Sequence, residues 1–118
     1  MSDNSEFLPL REPTFLILLS LADSDKHGYA ILKDVEVLSQ ERVQLSTSTL
    51  YEALARLLDQ GLVARVTAVN QGDANHPGRS RKFYGLTHGG QQVLDAELVR
   101  LRDLLTAAQQ RLGLSSSQ

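Results

Sequence analysis

The last third of the chain carries its most constraining pattern. Leu94, Leu98, Leu101, Leu105, Ala108 and Leu112 are spaced 4, 3, 4, 3 and 4 residues apart. That is a heptad a/d seam, and it predicts one long helix over residues 88–112. Thr87 offers this helix a side-chain N-cap. A helix of about 25 residues is about 38 Å long, so it overhangs a small body. Its apolar stripe must then be paired or left in water. The seam therefore predicts a dimer interface formed by Leu94, Leu98, Leu101, Leu105, Ala108 and Leu112. Packing against the chain's own first helix is the alternative.

The body ahead of the seam reads as three helices and a hairpin. Pro13 suits a first helical turn, because it has no amide proton to leave unpaired. The apolar stretch after it predicts a buried helix over 13–23, with a buried strand as the competing reading. The polar cluster Asp23–Gly28 ends it and supplies caps. Ile31, Val35 and Leu38 fall on one face of a second helix over 28–39. A third helix should begin at Ser46 or shortly after and end at Gly61. Its buried stripe is Leu50, Leu54, Leu57 and Leu58. Ser48, Thr49, Glu52, Arg56 and Asp59 lie opposite, with Tyr51 at the boundary. The period then changes. Leu62–Val69 and Ser80–Leu86 read as strands around the loop Asn70–Gly78, a β-hairpin. Residues 1–12 read as a flexible N-terminus and 114–118 as a polar tail. The expected fold is mainly α with a small β-hairpin: a winged helix-turn-helix over 13–86 and a C-terminal dimerisation helix over 87–113.

Charge decides where a partner could bind. The formal net charge is −2, which excludes a uniformly basic nucleic-acid protein. Between Arg42 and Lys82, however, six basic residues face three acidic ones, a local +3. That segment holds the third helix and the hairpin. The amides opening the third helix carry partial positive charge and suit a phosphate. Ser46, Thr47, Ser48 and Thr49 add short donors there. On the outward face Ser48 and Thr49 can reach either base type, Arg56 suits guanine or phosphate, and Glu52 can accept from cytosine. Arg79, Arg81 and Lys82 on the hairpin can touch the DNA backbone or a narrow minor groove. Each feature also has a plain structural reading. Hydroxyls cap helices, Glu52 and Arg56 can pair on the surface, and basic hairpins protect sheet edges.

Other classes find little support. The chain has no Cys, so thiolate metal sites, disulfides and cysteine nucleophiles are absent. His27, His76 and His88 have no metal-ligand spacing, and Asp23, Asp25 and His27 suit capping and turn formation better than a cation. There is no nucleotide-binding fingerprint or nucleophile elbow, so neither a cofactor nor an enzyme is expected. The longest strongly apolar run, Phe15–Ala22, falls well short of the ~20 residues of a membrane span. The acidic N-terminus lacks the features of a signal peptide. A cytoplasmic protein, nucleoid-associated when bound to DNA, is expected.

Several short stretches together resemble the PadR family of bacterial transcriptional regulators. They are His27-Gly28-Tyr29, Leu45-Ser46 with Thr49-Leu50-Tyr51, Leu54–Val63, and Arg81–Thr87 leading into Gly90. The resemblance covers residues 14–94, and the single helix after the hairpin matches the family's smaller subgroup. It implies a homodimer on a palindromic operator of double-stranded DNA, usually acting as a repressor. It also implies that Ser46–Thr49, Tyr51, Arg81 and Lys82 lie on the DNA face. Departures are Thr47 for a frequent Pro, Ala30 for a frequent acidic residue, and Gly85 for a frequent polar one. In the smaller subgroup, planar drugs stack on tryptophans between the C-terminal helices. This chain has no Trp, so that mode cannot be copied. For a small-molecule effector, the expected pocket lies between the C-terminal helices and the first helix, lined by Phe15, Leu19, Leu94 and Leu98. The rival reading is a winged-helix protein–protein interaction module without DNA binding.

Overall fold

The computed structural model of the protein describes residues 4–66 and 82–114. A 3₁₀ turn, Asn4–Phe7, precedes helix α1, Glu12–Ser20. The order then runs β1 (Lys26–His27), α2 (Gly28–Leu38), α3 (Thr47–Asp59), β2 (Val63–Val66), β3 (Phe83–Leu86) and α4 (His88–Leu112). Three strands form one antiparallel sheet in the order β1-β3-β2. The fold is thus mostly helical with a small sheet, as expected. The predicted loop Asn70–Gly78, with His76, Arg79 and Arg81, lies outside the described residues. So do the outer ends of the two predicted strands and residues 115–118 of the tail.

Helix α1 is apolar on nearly every side because it is central. Leu16, Ile17 and Leu18 are buried there, as is Leu21 just past its end, and each such side chain contributes about 1.5–3 kcal/mol. Buried Ser20 is satisfied by donating to the Ile17 carbonyl at 2.7 Å. The core is completed by Ile31 and Val35 of α2, Leu50, Ala53, Leu54 and Leu57 of α3, the sheet residues Val63 and Tyr84, and Val93 and Leu94 of α4. Ala53 stands in the buried stripe of α3, while Leu58, expected there, is half-buried at its edge.

Side-chain hydroxyls fix the joints that orient α3. Ser39, buried at the end of α2, donates to the Val35 carbonyl at 2.8 Å and accepts from the Val43 amide at 2.9 Å. The turn between them carries Gln40 and Glu41 at positive φ. Beyond α3, Gly61 adopts φ 78°, the left-handed conformation that closes a helix, as its place in the sequence suggested. Thr87 Oγ1 donates to the Gly61 carbonyl at 2.7 Å and accepts from the Gly90 amide at 2.9 Å. It therefore caps α4 and ties it to the end of α3. The approach is close: a Cβ on Gly90 would come within 2.2 Å of the Leu62 carbonyl oxygen.

Two features depart from the sequence reading. Strand β1 was not expected. Lys26 pairs with Tyr84 and His27 with Phe83, so β1 adds an edge strand beside β3, which becomes the central strand of a three-stranded sheet. The segment 1–12, read as a flexible end, contributes Phe7, Leu8 and Leu10 to the margin of the core, and Glu12 already belongs to α1. The radius of gyration, 16.8 Å, exceeds the ~13 Å of a compact domain of this size. The 25-residue α4 accounts for the elongation.

Candidate nucleic-acid interface

Helix α3 begins where the sequence placed it. Ser46 Oγ accepts the Thr49 amide at 3.1 Å and donates to Thr49 Oγ1 at 2.9 Å. Ser48 Oγ lies 3.3 Å from Ser46 Oγ. With Ser46 as the cap, Glu52 has no part in capping. Ser46, Thr47, Ser48, Thr49, Glu52, Arg56 and Asp59 are all exposed. Among the described residues, Glu52 and Arg56 do not pair; the ion pairs involve Lys26, Lys33, Arg42 and Arg100. At 100° per residue, Glu52 lies about 40° and Arg56 about 80° round the helix from Ser48. Tyr51 lies about 60° the other way.

The two flanks of this outward face differ. On the sheet side a groove of about 400 Å³ is lined by Tyr51, Leu54, Ala55, Leu58, Arg65, Lys82 and Tyr84. It brings Tyr51 and Lys82 together, and adds Arg65, counted in the local positive charge but not placed at the site by sequence. Burial pushes the Tyr84 phenol above its ordinary value; neighbouring Tyr51 adds to this and Arg65 opposes it. Tyr51 is 44% exposed, and its hydroxyl lies over the start of α2. A Cβ on Gly28 would come within 2.1 Å of that hydroxyl, so the ring rests directly on the α2 backbone. On the opposite side Arg56 shares a groove of about 470 Å³ with Glu6, Phe7, Leu10 and Arg11.

His27 holds the base of the site. Its Nδ1 accepts the Ala30 amide at 3.3 Å, and its ring meets Phe83 edge-on at 5.5 Å. Asp23 pairs with Lys26 at 2.7 Å. Both act as turn and cap residues. Among the described residues, no group of three His, Cys, Asp or Glu could hold a metal ion.

The seam of α4 divides. Leu94 is buried, whereas Leu98 is 48%, Leu105 57% and Leu112 70% exposed, with Leu101 and Ala108 also exposed. Phe15 and Leu19 are half-buried on α1, which packs against α4. Sequence reasoning missed Glu97. It is 2% exposed, accepts the Leu10 amide at 3.0 Å, and takes two bonds from Arg100 at 2.6 and 2.8 Å. Arg100 holds the carboxyl below its ordinary value, helped by the Leu10 amide and opposed by burial.

The pattern of the Transcriptional regulator PadR-like family matches residues 17–96. No curated protein matches the chain. Solved structures do. A PadR family transcription regulator from Clostridium difficile R20291 is 27% identical, with a TM-score of 0.69 over 86% of this chain and 99% of that one. A family member from Eggerthella lenta is 26% identical, with a TM-score of 0.61 over 92% and 89%. Bacillus subtilis PadR, solved in complex with operator DNA, is 25% identical, with a TM-score of 0.64 over 75% of this chain and 48% of that one. No helix among the described residues is long and apolar enough to cross a membrane.

Proposed function

The chain belongs to the PadR-like family of transcriptional regulators, and from that premise we propose that it is a repressor binding a palindromic operator as a homodimer. One observation carries this reading. The whole polar face of α3 stands uncovered, with Arg65 and Lys82 on its flank. A helix presented in this way fits the major groove, with Ser46–Thr49 nearest the bases and phosphates. The lysine and arginine beside it supply backbone contacts, and Arg79 and Arg81, next to Lys82 in sequence, would add to them. The operator complex of Bacillus subtilis PadR supports the same use of the fold.

The distal seam of α4 is the dimer interface in this reading. Two-fold pairing would set two copies of α3 about 34 Å apart, one turn of DNA. It would also double the local positive charge, offsetting an acidic total. A small-molecule effector would bind between α4 and α1, against Phe15, Leu19, Leu94 and Leu98, and act by changing how the paired helices set the α3 spacing.

Gel shift with the DNA upstream of the chain's own gene, across a salt series, tests the reading. The expected result is a discrete complex that resists competitor DNA and weakens with salt and in Arg81→Ala/Lys82→Ala. Folded protein that forms no complex even at low salt would contradict it and favour a protein–protein interaction module.

A further inference from the structure

We propose that Arg11 and Arg56 form a second phosphate-contacting surface, so that DNA backbone is held on both flanks of α3. This rests on the reading of α3 as the DNA-reading helix. A helix about 10–12 Å across, seated in a major groove about 12 Å wide, has a phosphate strand on each side. On the sheet side, Arg65 and Lys82 line the groove beside α3. On the other side, among the described residues, the cations lining the groove between the N-terminal segment and α3 are Arg11 and Arg56.

Their local chemistry leaves both charges available. Among the described residues, neither makes an ion pair. Glu12, next to Arg11, is occupied by Arg42, whose Nη1 donates to Glu12 Oε1 at 2.9 Å. Arg11 is also presented from a fixed backbone. It is the N-cap of α1, and the preceding amide of Leu10 is held by buried Glu97. Glu97 thereby links α4 to the segment that carries Arg11. Glu6 lines the same groove and opposes a phosphate there, so removing its charge should strengthen binding.

The test is fluorescence anisotropy of a labelled duplex from upstream of the gene, with the full chain, over a potassium chloride series. Each lost phosphate contact lowers the slope of log K against log salt by about 0.9, and a dimer loses two per substitution. Arg11→Gln and Arg56→Gln should each lower the slope by about 2, as should Lys82→Gln. Arg11→Lys should restore it, and Glu6→Gln should raise affinity. A purely structural role for Arg11 would leave the slope unchanged and alter only the melting temperature. An Arg11→Gln slope equal to wild type, beside a lowered Lys82→Gln slope, would overturn the proposal. Wild-type protein that binds no duplex at low salt would instead remove the reading of α3 on which it rests.

Discussion

The two halves of α4 carry one leucine seam but end in different surroundings. In the first turns Val93, Leu94 and Glu97 are buried, and Thr87 ties the start to the end of α3. Past Glu97 the same spacing continues through Leu98, Leu101 and Leu105, now exposed. Periodicity declares which residues share a stripe. It does not declare what covers the stripe. The proximal half is covered by this chain, whereas among the described residues nothing covers the leucines of the distal half. Glu97 marks the border. A carboxylate is carried into the core there because an amide from the N-terminal segment and a guanidinium one turn on meet it.

The largest expected effect comes from the distal half. Leu101→Glu/Leu105→Glu should abolish pairing and cut operator affinity by about 10²–10⁴-fold, the loss of linked binding, with each chain still folded. Sedimentation and gel shift would measure both. In the proximal half, Leu94→Ala should cost about 2–5 kcal/mol of stability by cavity formation, read by urea unfolding at fixed protein concentration. If the two variants gave the same phenotype, the division of the seam would be lost.

Glu97→Gln tests the border and should cost about 1–3 kcal/mol. Its pH dependence has a defined sign. The folded carboxyl titrates below its unfolded value of about 4.3. Its stabilisation is therefore complete above that value and is lost as pH falls through the lower folded value. Wild type should lose more stability than Glu97→Gln in that acid range, measured by thermal melting. The smallest effect is Thr87→Ala, about 1 kcal/mol for a lost N-cap, with dimerisation unchanged.

Much of the fold was legible because its signals are local. Thr87 and the leucine spacing mark α4, and Ser46 and Gly61 bracket α3. The same local signals placed Ser48, Thr49, Glu52 and Arg56 on one exposed face. What was missed depends on contacts distant in sequence. Strand β1 is two residues long and exists only because β3 pairs with it. Glu97 sits at the margin of the apolar stripe, and its partner amide on Leu10 is 87 residues away. Arg11 fell within a stretch that reads as loose polar chain, since nothing local announces that Phe7, Leu8 and Leu10 reach the core. Arg65 reads as a strand residue until the fold sets it beside Lys82.

In the function proposed above, the uncovered half of α4 brings two copies of α3 onto one DNA duplex. The most direct measurement is the mass of the complex with upstream DNA, by native mass spectrometry or light scattering. Two chains per duplex are expected for wild type, and no stable complex for Leu101→Glu/Leu105→Glu. A stable specific complex of one chain per duplex, unaffected by those substitutions, would contradict it.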